Sequence, residues 1–448
     1  MASTYLQRTV GTPTNAQKYT YSFWIKRCEL TDGSKEAFLL DGYADASNRA
    51  KIAFNSNNLF EIWNSNAGSF TFQLSPPRKI RDTNAWYHIV LSVDTTQSTA
   101  SDRVKLYING VQETNLGSTT YPPQNDANNT INESGTTFSI MAYGGIPSSD
   151  SFRLSSIMSH VHFTDGTAYD ASTFGETDAT TGIWKPKTEP SVTYGNNGFF
   201  LKFENSGSMG TDSSGNANNF TVNGNLTQTV DTPSNVYATW NPLIPQGLAY
   251  ANGNLSATHN AASWKSAYGT LAMSGTGKYY FESKVSTLGS YQGVGIVDAE
   301  QISSSASKFG AVSRGYGYKN DGNKTNNDVD VSYGATYTTG DIIMCAVDLN
   351  AGAIWWGKNG TWQNSATQSE IENGTTTNAG YTGISNSYVY LPAVQIYGSG
   401  TNQLNTGNGY FGTTAVASAG SNGNGAIFEY DVPSGFYALN TKNLNTYG

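Results

Sequence analysis

The chain is poor in charge, in cysteine and in long apolar runs. Only 13% of its 448 residues are Asp, Glu, Lys or Arg, about half the usual share. Lys and Arg number 25 against 33 Asp and Glu, a net charge of −8. A protein that binds nucleic acid by neutralising phosphates is therefore disfavoured. Two cysteines, Cys28 and Cys345, are too few for a secreted disulfide scaffold, and both are expected as buried thiols. No window approaches the about 20 apolar residues of a membrane-spanning helix. The start, Met1-Ala2-Ser3-Thr4-Tyr5-Leu6, lacks the basic residues and apolar centre of a signal peptide. The expectation is a protein made in the cytoplasm without a cleaved leader and not inserted in a membrane. Helix periodicity is also scarce, because Gly, Asn, Ser and Thr break every long run.

What is abundant is glycine, 48 residues, and aromatic rings, 28 Tyr, 19 Phe and 9 Trp. Disordered chains carry more charge and fewer rings, and this length is comfortable for two or three cores. The profile suits an all-β protein working outside a cell or on a virion surface. Short strand-like runs recur at Tyr19 to Ile25, Trp86 to Val93, Val104 to Ile108 and Phe152 to Phe163. In the second half they are Tyr279 to Val285, Gly293 to Val297, Ile342 to Leu349, Ala353 to Trp356 and Val389 to Tyr397. Asn109-Gly110, Asp165-Gly166, Asn252-Gly253, Asp321-Gly322 and Asn359-Gly360 mark turns. Many short strands at near-regular spacing predict sandwiches or barrels. From 165 to 245 the chain is loop-like and proline-bearing, interrupted by Gly198 to Phe203, which reads as the last strand of a first domain. The expected organisation is a domain over 1–205, a polar crossover over 206–226 and a second domain over 227–448. The halves echo each other: an apolar strand ending in Asp94 or Asp348, a return strand, then Asn-Gly. The fold class expected is all-β, two antiparallel β-sandwiches of jelly-roll type in tandem with a loop-rich junction.

Particular motifs sharpen this. Tyr21-Ser22-Phe23-Trp24-Ile25-Lys26, Trp86-Tyr87-His88-Ile89-Val90 and Val104-Lys105-Leu106-Tyr107-Ile108-Asn109-Gly110 resemble the laminin-G-like or concanavalin-A-like jelly roll. In that family these pieces are core and turn. Gly277-Lys278-Tyr279-Tyr280-Phe281-Glu282, Gly293-Val294-Gly295-Ile296, Gly315-Tyr316-Gly317-Tyr318, Trp355-Trp356-Gly357-Lys358-Asn359-Gly360 and Tyr390-Leu391-Pro392-Ala393-Val394 resemble the SPRY sandwich. Phe174 to Asp178, Asp212 to Asn219, Val230 to Asn235 and the ending Pro433 to Leu444 resemble virion proteins of tailed phages, marine and cyanobacterial ones above all. A Gly-, Asn- and Ala-rich insert, 412–426, departs from that last pattern, as a binding loop or as a tolerated insertion.

The resemblance raises the question of catalysis, because laminarinase-type glucanases carry Glu-x-Asp-x-x-Glu on one strand. Alternate strand residues share a face, which brings both carboxyls to one sugar ring. Here Glu176-Thr177-Asp178 meets Thr181 and Glu429-Tyr430-Asp431 meets Ser434 at the completing position. No Gly-x-Ser-x-Gly elbow or phosphate loop is present, so no catalytic residue and no cofactor are expected. His160 and His162 alternate with Val161 and Phe163 and could share a metal, with no third ligand evident. Laminin-G-like domains often bind calcium, which makes Asp41 and Asp45 the calcium candidates of Asp41-Gly42-Tyr43-Ala44-Asp45. Rim loops rich in rings and amides suit sugar binding. The ligand candidates are Tyr316, Tyr318, Asn320, Asp321 and Asn323 in one loop and Tyr410 and Phe411 in another. The resemblance implies a non-enzymatic phage surface protein, a tail fibre, tip or adhesin that recognises host glycans. A capsid decoration or head fibre is the alternative, and a glycan-degrading enzyme a distant third. Expected partners are other virion proteins, host polysaccharide and further copies of the chain, for instance as a trimer.

Overall fold

Tyr19, Tyr21, Phe23 and Ile25 alternate along the strand Lys18–Arg27 and are exposed by 1% or less. Nearly every residue of that strand is buried, so it lies at the centre of a sheet with both faces covered. This is a computed structural model, and it describes residues 4–448 other than 32, 148, 154, 245 and 303–307. Strand accounts for 42% of it and helix for 7%. The chain divides into two compact units, 1–228 and 229–448.

In the first unit the central strand belongs to a six-stranded sheet ordered Phe199–Leu201, Ser156–Asp165, Lys18–Arg27, Trp86–Asp94, Val104–Ile108, Val111–Gln112. The opposing eight-stranded sheet runs Ser118–Thr120, Ser69–Ser75, Phe60–Asn66, Arg49–Phe54, Ala37–Tyr43, Thr137–Ile140, Tyr5–Thr9, Thr221–Asn223. Phe23 and Leu91 from one sheet meet Leu40, Ile52, Ile62 and Phe138 from the other in a single core. The polar stretch 206–226 is part of this unit rather than a crossover. Thr221–Asn223 pairs with Tyr5–Thr9, Phe220 enters the core, and the Asp212 carboxylate accepts from the amides of Phe200, Ser214 and Asn218.

In the second unit the sixteen-residue strand Tyr390–Asn405 is shared by the whole sandwich. Its first half pairs with Tyr291–Asp298 and its last residues with Lys278–Thr287, while Ser256–Tyr268 runs along its other edge. Ile342–Asp348, Ala353–Lys358 and Thr361–Trp362 extend one side; Gly315–Lys319, Asn323–Asn326 and Val329–Ser332 extend the other. Trp355 and Trp356 point to opposite faces of one strand, and each is fully buried in a separate core cluster. Both cysteines are buried thiols.

The two Asn-Gly hairpins are built alike. Asn109 and Asn359 have φ of 49° and 48°, and the following glycines 81° and 84°, the left-handed pair that a two-residue hairpin needs. Asn109 Oδ1 accepts from the His88 amide, and Asn359 Oδ1 from the Ile342 amide, both at 2.8 Å.

Candidate functional site

The residues nominated from sequence do not converge. Tyr318 is 0% exposed, donates its hydroxyl to the Ala335 carbonyl and packs on Tyr333, Tyr337 and Trp356. Two-residue alternation turns it inward, so it is core and not a ligand group. Asn320, Asp321 and Asn323 sit beyond the far end of the strand from Tyr316 and make turn contacts. Asn320 Oδ1 accepts from the Gln292 amide at 2.8 Å; Asp321 accepts from the Asn323 amide at 3.1 Å and pairs with Lys319 at 3.0 Å. Phe411 is also core, 1% exposed, with the Lys284 ammonium over its ring. Tyr410 is half-buried and follows the opposite end of the long strand from Tyr316. The 412–426 insert folds back on 428–432. Its Ala417 and Ser421 amides donate to the carboxylates of Glu429 and Asp431 at 2.7 Å each.

The metal candidates fare no better. Asp41 lies on the strand Ala37–Tyr43, fully buried, and accepts from the Gly144 amide at 2.8 Å. Its other oxygen faces the Arg49 guanidinium at 3.6 Å, a cation already where calcium would sit. Burial pushes its carboxyl up to about 6, against the pull of Arg49 and Gly144. Asp45 is exposed and caps its own turn through Ser47 and Asn48. These residues do not fit a calcium ion. The alternation of His160 and His162 is broken by a bulge between Ser159 and His162. His162 is buried on the Phe200 ring, and its Nδ1 is engaged by the Tyr194 hydroxyl. Among the described residues no group of three His, Cys, Asp or Glu could hold a metal.

One buried pair imitates a nucleophile and base. Ser22 Oγ lies 2.9 Å from His88 Nε2. However, the Trp184 indole donates to His88 Nδ1 at 3.0 Å, so the proton of the neutral ring sits on Nε2 and is given to Ser22. Burial, with His160 nearby, pushes the imidazole down to about 3. It cannot take a proton from the serine, and neither side chain reaches solvent. Of the two Glu-x-Asp runs, Glu176 and Asp178 are tied to Lys185, and Glu429 and Asp431 fasten the insert.

What the fold does assemble is a rim of tyrosines around Tyr316. Tyr381 and Tyr390 lie 5.4 and 6.3 Å from it between ring centroids. Arg314 lies over the Tyr388 ring at 4.1 Å and is held by the carboxylates of Asp298 and Glu300. Lys324 covers Tyr381 at 4.9 Å and donates to the Gly380 carbonyl. Tyr316, Tyr381 and Tyr388 are half-exposed, whereas Tyr390 is buried and its hydroxyl has no hydrogen-bond partner. A buried unpaired hydroxyl costs about 1–3 kcal/mol. Burial pushes the hydroxyls of Tyr316, Tyr381 and Tyr390 up, so all three remain neutral donors. Sequence pointed only to Tyr316; the other rings arrive from a distant loop and strand.

Residues 2–139 match the family model of the concanavalin A-like lectin/glucanases superfamily, and residues 278–377 match the SPRY domain. The first match lies within the first unit and the second within the second unit. Among solved structures it is similar to the SPRY domain of human HERC1, at 19% identity and a TM-score of 0.28, covering 37% of this chain and 96% of that one. A heptameric SAP-like pentraxin from Limulus polyphemus is similar at 16% identity and a TM-score of 0.27, covering 38% and 72%. Stonustoxin is similar at 17% identity and a TM-score of 0.28, covering 38% of this chain and 27% of the toxin. The tyrosine rim belongs to the second unit, with Tyr316 inside the residues matched to the SPRY model and Tyr381, Tyr388 and Tyr390 beyond them. No helix among the described residues is long and apolar enough to cross a membrane.

Proposed function

We propose that the chain is a non-enzymatic binding protein of a phage virion surface, a tail tip, fibre or adhesin component that recognises host-surface glycans. The observation that carries the glycan reading is the rim of half-exposed rings, Tyr316, Tyr381 and Tyr388. Half-exposed rings offer flat apolar area that loses little entropy on binding. Arg314, already held over Tyr388 by two carboxylates, adds oriented donors at the edge. The virion setting is supported by the resemblance of the junction and ending to tailed-phage proteins. The non-catalytic reading is supported by the engagement of Glu176, Asp178, Glu429 and Asp431 in turns and ion pairs.

Four measurements test it. Saturating purified protein should block phage adsorption to host cells, and Tyr388→Ala should weaken binding to purified host envelope polysaccharide at least tenfold. Gold-labelled antibody against the second unit should mark the tail end of particles. Unchanged adsorption with label spread over the head would overturn host recognition in favour of capsid decoration. New reducing ends released from the polysaccharide would overturn the non-enzymatic reading.

A further inference from the structure

A second aromatic surface lies on one face of the second unit's sheet, away from the nominated loops. Three neighbouring strands place Tyr291, Tyr397 and Trp264 in one row, each opposite the next in register. Their ring centroids form a triangle of 6.1, 5.5 and 6.1 Å, with Trp264 and Tyr291 within 29° of parallel. A bulge between Ala261 and Trp264 sets the indole opposite Tyr397. That bulge is pinned by His259 Nε2, which lies 2.9 Å from the Ser263 carbonyl, and bulges commonly re-aim side chains in this way. The next row of the same face, Gly293, Gln395 and Ser266, is covered. The Phe309 amide donates to Ser266 Oγ at 3.1 Å and the Gly310 amide to Gln395 Oε1 at 3.0 Å. Beside this covered row, Tyr291 is 47% exposed and Trp264 and Tyr397 are half-buried.

We infer that Trp264, Tyr397 and Tyr291 form a stacking platform for a hexopyranose unit of a polysaccharide. Rings alone would also suit a protein partner, but the surroundings favour a sugar. The exposed neighbours are small and uncharged: Asn260 and Ser399, paired in register, and Ser290. They offer amide and hydroxyl groups around the aromatic row. At the other margin Lys308 lies over the Trp264 ring at 5.3 Å and is paired with Asp328, a neutral couple that supplies both donors and acceptors. A pyranose has this chemistry, with C–H bonds on its face and hydroxyls around its edge. A polyanion would meet a cation already neutralised. The choice of ligand rests on the glycan reading of the chain, but the site is separate from the tyrosine rim.

The test uses the full chain with glucan, galactan, mannan and chitin oligosaccharides as probes. Saturation-transfer NMR and tryptophan fluorescence provide the readouts. At least one probe should bind, with transfer from aromatic protons to sugar C–H protons. Trp264→Ala and Tyr291→Ala should each weaken binding tenfold or more, and Trp264→Phe less. Both side chains sit on an open face, and an unchanged thermal midpoint checks the fold of each variant. Affinity that survives both alanine variants but falls with Tyr388→Ala overturns the platform and leaves the proposed function standing. Binding to no probe overturns the platform together with the glycan reading. A chain that self-associates in sedimentation and becomes monomeric with Trp264→Ala assigns the face to a second copy and overturns the platform.

Discussion

Glu282 is fully buried, and its two oxygens accept four hydrogen bonds. The Tyr280 hydroxyl and Tyr430 amide serve one oxygen; the Asn405 side chain and Glu429 amide serve the other. Burial nevertheless pushes its carboxyl up to about 7. The folded value lies above the unfolded one of about 4.3, so the contribution is present below that value and is lost as pH rises through 7. Ionising this group in the fold costs on the order of 3 kcal/mol. Amide protection factors at Glu429 and Tyr430 should therefore fall between pH 5 and pH 8. Glu282→Gln, which cannot ionise, should flatten that dependence; parallel curves for the two proteins would refute it. Asp41 acts with the same sign in the first unit, which is why the local amides and not global unfolding are the measurement.

At the scale of elements, the Asn-Gly hairpins carry a clear expectation. Asn359 holds a left-handed backbone and caps the Ile342 amide, so Asn359→Ala loses both and should destabilise the second unit by about 1–2 kcal/mol. Asn359→Gly keeps the backbone and should cost about half as much; thermal unfolding compares the two. These hairpins were legible because turn chemistry is local and the flanking runs alternate. The meander from Ala37 to Ser75 was not legible. Its strands carry charges, Asp41 beside Arg49 and Lys51 beside Glu36 and Glu61, which interrupt the apolar alternation that marks a strand. Alternation puts Trp355 and Trp356 on opposite faces of a strand, but their two separate cores arise only from tertiary packing. The candidate site was legible least. Tyr316 and Tyr318 look equivalent in Gly-Tyr-Gly-Tyr, yet one rings the rim and the other fills the core. Nothing local joins Tyr316 to Tyr381 and Tyr388, or Trp264 to Tyr291 and Tyr397.

At the scale of the molecule, the boundary between units falls after Gln228 and not at 205. A fragment 1–228 should unfold cooperatively in urea. A fragment 1–205 lacks Phe220 and the Thr221–Asn223 strand, so it should unfold at lower urea and bind a hydrophobic dye. Equal midpoints for the two would show that the added strand contributes nothing. That strand has another consequence. It runs antiparallel to Tyr5–Thr9 with Tyr5 opposite Asn223, so the chain enters and leaves this pair at the same end. Tension between the start of the chain and its second unit would peel the pair rung by rung, where a sheared pair would resist with all its hydrogen bonds at once. In a single-molecule stretching experiment the first unit should open from this edge at low force, paying out chain while the inner strands hold.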